Sequence, residues 1–204
     1  MLLDAITQRV LLLVEGPDDH AIVCYLLASI HPDWSQFIDV QHKGGASGLV
    51  RAARAIRLVS GFDKVQKLAV LVDADESPEK TDQAWAEERR LFLADFPDRQ
   101  MQYLVLPSSI AKGALETIFL QSLKSDSTRF QCVSSFMTCL SGHTPHTTQA
   151  QKDKLALISY INASVKTPYS RVGKALEQGA RNLFDFTDPA FQPLVVFLER
   201  LFDV

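Results

Sequence analysis

Short aliphatic runs alternate with stretches of helical periodicity through the first half of the chain. Val10-Leu11-Leu12-Leu13-Val14 and Lys67-Leu68-Ala69-Val70-Leu71-Val72 each read as a strand buried on both faces. Phe37-Ile38-Asp39-Val40-Gln41 and Met101 to Leu106 supply two further strands. Helical patterns lie between them, at about 18–30, 48–59 and 79–94. Pro17 and the pair Asp18-Asp19 suit the start of the first helix. Such βαβα alternation predicts an α/β fold: a four-stranded parallel sheet with right-handed crossovers, flanked by helices.

The second half reads as helical. Helices are expected at about 112–124, 130–140, 151–162, 170–179 and 190–202, with an exposed loop at His143-Thr144-Pro145-His146-Thr147-Thr148. This divides the chain into a core over 1–110 and a helical extension over 111–204 packed on it as one structural domain. Apolar residues within 190–204 exceed one helical stripe, so they either close the core or form a homodimer seam, and core closure is the simpler reading.

The ends of the two most apolar strands carry the candidate chemistry. Glu15 ends the first, and Asp73-Ala74-Asp75 ends the third. Ligands of open α/β sheets bind beyond the carboxyl ends of strands. In extended chain Asp73 and Asp75 point the same way while Ala74 turns aside, and a neighbouring strand about 4.8 Å away brings Glu15 to the same ion. Three carboxylates together raise one another's pKa values, and a divalent cation removes that conflict. The hard oxygen set points to Mg2+ or Mn2+. In the competing reading Asp73 caps the next helix and Asp75 is solvated.

A chain of 204 residues suits one domain. The net charge of −3 gives no global basic field for nucleic acid. Cys24, Cys132 and Cys139 form no disulfide framework. With no signal-peptide layout and no apolar run of spanning length, they predict a cytoplasmic protein away from the membrane.

Leu13-Val14-Glu15-Gly16, followed some sixty residues later by Val72-Asp73-Ala74-Asp75, resembles the Toprim domain of topoisomerases, bacterial primases, recombination mediators and OLD-type nucleases. The resemblance covers about residues 9–110. It implies a compact parallel sheet and a magnesium site in which Glu15 assists acid–base chemistry and Asp73 and Asp75 hold metal. Glu15-Gly16-Pro17-Asp18-Asp19 also fits the Glu-x-x-x-Asp pattern of OLD-type Toprim domains, which implies a second-metal role for Asp19. Over nearly the whole chain, Gly44-Gly45, Leu115-Glu116, Asp153-Lys154 and Phe184 to Pro193 resemble small stand-alone Toprim-related proteins. The chain departs from the larger Toprim enzymes: it lacks the four-cysteine zinc site of recombination mediators and the Gly-x-x-x-x-Gly-Lys-Ser/Thr loop of an ATPase. An ATPase, where one is required, is a partner chain.

Other residues extend the candidate site. Glu116, in an otherwise apolar helical stretch, is a further carboxylate near the metal or an exposed structural acid. Gly44, Gly45, Ser47 and Gly48 open a helix whose N–H groups suit a phosphate, against the simpler reading of a flexible turn. Arg51, Arg54 and Arg57 span about 120° of that helix, a basic face for a nucleic-acid backbone or a solvated surface. Lys112 and Lys154 are candidates to offset phosphate charge. Cys132, Cys139, His143 and His146 have zinc-ligand chemistry without finger spacing, and burial of both cysteines on an amphipathic helix is favoured.

Three functional readings follow. The preferred one is a magnesium-dependent phosphodiester or phosphoryl-transfer enzyme, a nuclease acting on nucleic acid. The second is a haloacid-dehalogenase-type phosphatase using Asp73 as nucleophile and Asp75 as acid, although that motif normally ends the first strand. The third is a non-catalytic metal-binding module of a multisubunit defence or repair complex.

Overall fold

The computed structural model describes residues 4–123, 127–141 and 147–203. Strands β1 (Val10–Val14), β2 (Ile38–His42), β3 (Lys67–Asp73) and β4 (Gln100–Leu106) form one all-parallel sheet in the order β2-β1-β3-β4. Helix α1 (Pro17–Ile30) joins β1 to β2, α2 (Ala46–Ala55) joins β2 to β3, and α3 (Pro78–Asp95) joins β3 to β4. The chain therefore leaves β1 toward one edge and returns to β3 on its other side. That reversal opens a crevice between the carboxyl ends of β1 and β3.

Strand composition follows from burial. All five residues of β1 are buried, because helices cover both faces of the sheet. Val10, Leu12, Val14, Ala69 and Leu71 face one core together with Ile22, Val23 and Leu26 of α1. Leu11, Leu13, Leu68, Val70 and Val72 face the other, against Leu49 and Ala53 of α2 and Trp85 of α3.

The later helices thicken only the α1 side. These are α4 (Leu115–Ser122), α5 (Ser127–Ser141), α6 (Gln149–Ser164), α7 (Val172–Glu177) and α8 (Gln192–Glu199). Ile118, Phe119, Leu157, Ile161, Leu176, Leu194 and Leu198 join the same core as Leu12 and Ala69, so residues beyond 110 complete the sheet's own packing. Phe119 is the hub: Phe184, Phe186 and Phe191 stand around it at centroid distances of 4.9, 5.9 and 5.0 Å, nearly edge-on. Such pairs contribute about 0.5–1.5 kcal/mol each beyond burial. This gives the Phe184–Pro193 segment a structural purpose. The apolar C-terminal residues close the core, with Phe191, Leu194, Leu198 and Leu201 fully buried.

A buried lysine ties the tail to the sheet. Lys67 begins β3 at 1% exposure, and its Nζ donates to the carbonyls of Arg200 (2.7 Å) and Asp203 (2.8 Å). These acceptors satisfy a charge whose burial otherwise costs several kcal/mol.

Helix α5 corrects the cysteine expectation. Val133 is buried and Phe130 and Met137 pack on the core, but Cys132 and Cys139 are exposed. The apolar stripe is narrower than the sequence suggests, and both thiols fall outside it. His143 and His146 lie outside the described residues. Among the described residues, no helix is long and apolar enough to cross a membrane.

Candidate functional site

Backbone pairing brings Glu15 and Asp73 together. β1 and β3 pair in register as far as Leu13 and Val70, and Glu15 and Asp73 lie just beyond. The Asp73 N–H then donates to Glu15 Oε1 at 3.1 Å. On the other side, the Asp73 carboxylate (Oδ1) accepts the Leu115 N–H at 3.0 Å, at the first turn of α4. The positive end of that helix favours an anion there.

Asp19 and Glu116 act directly on Asp73, and Asp18 lies beside both of them. Asp19, in the first turn of α1, accepts the Gly16 N–H at 2.8 Å. Glu116, in the first turn of α4, is 4% exposed. Asp18, at 5% exposure, accepts from Arg171 Nε (3.0 Å) and the Gly173 N–H (3.3 Å). Lys154 of α6 reaches both helices, with Nζ 3.2 Å from Asp18 Oδ2 and 3.6 Å from Glu116 Oε1. The Glu116 and Lys154 candidates thus join the strand-end acids.

The electrostatics describe a crowded anionic site. Burial, then the charges of Asp19, Glu15 and Glu116, push the Asp73 carboxyl well above the usual range, against the Leu115 hydrogen bond. Burial also raises Asp19, opposed by the Gly16 N–H and Lys154. It raises Glu116 as well, opposed by Lys154 and reinforced by Asp19 and Asp18. Of the five acids Glu15, Asp18, Asp19, Asp73 and Glu116, Asp18 and Glu116 pair with Lys154, and Asp18 pairs also with Arg171. Either protons or a further cation must offset the surplus. The all-oxygen donor set fits Mg2+ or Mn2+ better than zinc. Among the described residues, no three His, Cys, Asp or Glu side chains already form a cage. Asp19 is turned to Gly16, and Lys154 stands between Asp18 and Glu116.

Asp75 departs from the extended-chain expectation. β3 ends at Asp73, and Asp75 takes φ +49° in the left-handed region. Its backbone pairs with Gly113 in both directions, at 2.8 and 3.0 Å. This turn breaks the alternation that would aim both aspartates at one point. The Asp75 side chain is exposed, and burial of part of the carboxyl and the charge of Glu76 raise its pKa.

Two cationic expectations also change. Lys112 pairs with Glu76 at 3.1 Å, and Glu76 also accepts the Gln149 N–H at 2.6 Å. That arrangement ties the loop after β3 to α6. The basic face of α2 is divided: Arg54 makes a forked pair with Glu88 of α3, and Arg57 lines the same cleft. Only Arg51 of the three lines the pocket beside Glu15. That pocket, about 750 Å³, is also lined by Gly16, Pro17, His42, Lys43, Gly44 and Gly45.

Sequence reasoning missed Asp18 and Arg171 as parts of the site. Asp18 read as an ordinary helix-start acid, and nothing local links it to Arg171 across 153 positions. Gly173 permits the approach of α7, since a Cβ there would stand 2.7 Å from Ala21 Cβ. A model of the family described as "Protein of unknown function (DUF3226)" matches residues 9–203. The chain belongs to the DUF3226 family. No curated protein and no solved structure matches it. The DUF3226 match spans both the strand-end acids and the Asp153-Lys154 and Phe184–Pro193 segments of the helical half.

Proposed function

We propose that this DUF3226 protein is a magnesium- or manganese-dependent phosphoryl-transfer enzyme acting on phosphodiesters, a nuclease of Toprim type. The observation that carries the reading is the surplus of carboxylates at the reversal point of the sheet, with raised pKa values at Asp73, Asp19 and Glu116.

Asp73, Asp19 and Glu116, with Glu15, are the residues that would hold the ion. When bound, it supplies a Lewis acid for the phosphoryl oxygens and lowers the pKa of an attached water. Glu15 has a second role as general base. Its Oε1 is oriented by the Asp73 N–H, and Glu15 also lines the neighbouring pocket, where water and substrate would approach. Lys154 keeps Glu116 and Asp18 in place and adds positive charge beside the incoming phosphate. Asp75 stands outside this group.

The test is cleavage of single- and double-stranded DNA and RNA by the pure protein in Mg2+ or Mn2+. Metal-dependent cleavage lost in Asp73→Asn and Glu15→Gln supports the reading. Equal cleavage by wild type and both variants removes it. Metal binding without cleavage of any of these substrates favours the non-catalytic module.

A further inference from the structure

The pocket beside Glu15 has a glycine whose lack of a side chain the fold does not explain. Gly44, Gly45 and Gly48 all line it. Gly45 adopts φ +75°, which disfavours any L side chain. At Gly48 a Cβ would stand 2.5 Å from the Lys43 carbonyl oxygen, so close packing demands glycine. Gly44 has neither reason: its backbone is not in the left-handed region, and a Cβ there would meet nothing within 4 Å. What its missing side chain leaves open is space in the pocket.

The surrounding chemistry defines what fits that space. The wall formed by Ala52, Ala55 and Val59 is apolar, whereas Arg51 and Lys43 bring positive charge. Arg51 is anchored through its Nε to the Ser47 carbonyl at 3.1 Å. The chain approaches Glu15 directly here, because the Gly45 N–H donates to the Glu15 carbonyl at 3.2 Å. A volume of about 750 Å³ lies in the range of small-molecule sites.

We infer that this pocket binds a nucleoside monophosphate moiety, with its phosphate at Gly44 and Arg51 and its base against Ala52, Ala55 and Val59. The inference deepens the proposed function by naming the substrate portion recognised, and rests on that reading for the chemistry alone. A forked guanidinium suits phosphate oxygens, and a bare glycine backbone lets them approach closely. The apolar wall suits a flat base. Phosphate bound here lies next to Glu15, the proposed base. A free nucleotide and the terminal nucleotide of a strand present the same chemistry.

The experiment is calorimetric titration of adenosine 5′-monophosphate, adenosine and inorganic phosphate into the full chain in EDTA. Gly44→Val, Arg51→Gln and Asp73→Asn are titrated alongside. The monophosphate should bind more tightly than either fragment. Arg51→Gln should weaken it roughly ten- to hundredfold, the effect of a lost charge-assisted hydrogen bond. Gly44→Val should weaken it comparably while keeping the wild-type melting temperature and Mn2+ binding. If Gly44→Val fails to fold, Arg51→Gln decides. Competition by a 5′-phosphorylated but not a 5′-hydroxyl oligonucleotide would support the inference with a strand end as the source. Competition by neither oligonucleotide, with the monophosphate still bound, would support it with a free nucleotide. No saturable binding of the monophosphate, or equal affinity in wild type and Arg51→Gln, overturns it. Failure of the metal reading is separate: it shows as unchanged Mn2+ binding in Asp73→Asn, whatever the nucleotide does.

Discussion

Replacing Asp73 by Asn should make the metal-free protein more stable. Asparagine keeps an oxygen to accept the Leu115 N–H, which Asp73 Oδ1 now accepts at 3.0 Å. It removes one negative charge from the neighbourhood of Asp19, Glu15 and Glu116, which raise the Asp73 pKa. Relief of a functional-site conflict of this kind gains about 0.5–2 kcal/mol. For a chain of this size that is a rise in Tm of roughly 2–4 °C per kcal/mol. The pH dependence has a definite sign. A carboxyl with a raised folded pKa binds its proton more tightly in the folded state. Stability is therefore lost as pH rises from the ordinary carboxylate range through the raised value. The advantage of Asp73→Asn should appear above that value in EDTA and fade under acid conditions. Saturating Mg2+ should then reverse the order, since an ion at a hundred times its Kd adds about 2.7 kcal/mol to the wild type alone. Differential scanning fluorimetry across pH, with EDTA or Mg2+, measures all of this. A variant that is less stable than wild type in EDTA at high pH would refute the charge-conflict reasoning, because Asp73 would then be a structural acceptor only.

Other perturbations separate structural from functional groups. Lys154→Met removes the cation shared by Asp18 and Glu116; because Lys154 is half exposed, the cost should be about 1 kcal/mol in EDTA. Added Mn2+ should largely restore the Tm of that variant, and a loss independent of Mn2+ would count against a shared cation site. Lys67→Met leaves the Arg200 and Asp203 carbonyls without their donor and should cost about 1–3 kcal/mol in urea titrations, with metal affinity unchanged. Asp75→Asn should change Mn2+ affinity far less than Asp73→Asn, because Asp75 is exposed and the turn at φ +49° ends the strand alternation; equal losses in calorimetry would restore both aspartates to one ion.

The architecture was legible because the strands are buried on both faces. Five consecutive aliphatic residues at 10–14 have few alternatives to a central parallel strand, and the structure places β1 there. Helix boundaries differed by a few residues where local signals compete: the expected helix at 48–59 ends at Ala55 and continues as a single 3-10 turn over Ile56–Leu58. Side-chain direction was less legible. Asp73-Ala74-Asp75 suggested alternation, but a pairing with Gly113, distant in sequence, sets the Asp75 backbone. Arg54 looked like part of a basic stripe until α3 supplied Glu88. Asp18 became visible only through Arg171 and Lys154, which tertiary packing brings to it. The exposed Cys132 and Cys139 show the same limit, since periodicity marks the apolar stripe of α5 but not its edges.

The most direct measurement is calorimetric titration of Mn2+ and Mg2+ into the wild type and an Asp73→Asn/Glu116→Gln double variant, in two buffers of different ionisation enthalpy. At a pH where these raised carboxyls still hold protons, an arriving cation displaces them. The account predicts saturable binding with net proton release by the wild type, and loss of both in the double variant. Binding of equal strength in the two proteins, or no binding by the wild type with or without adenosine 5′-monophosphate, would contradict it.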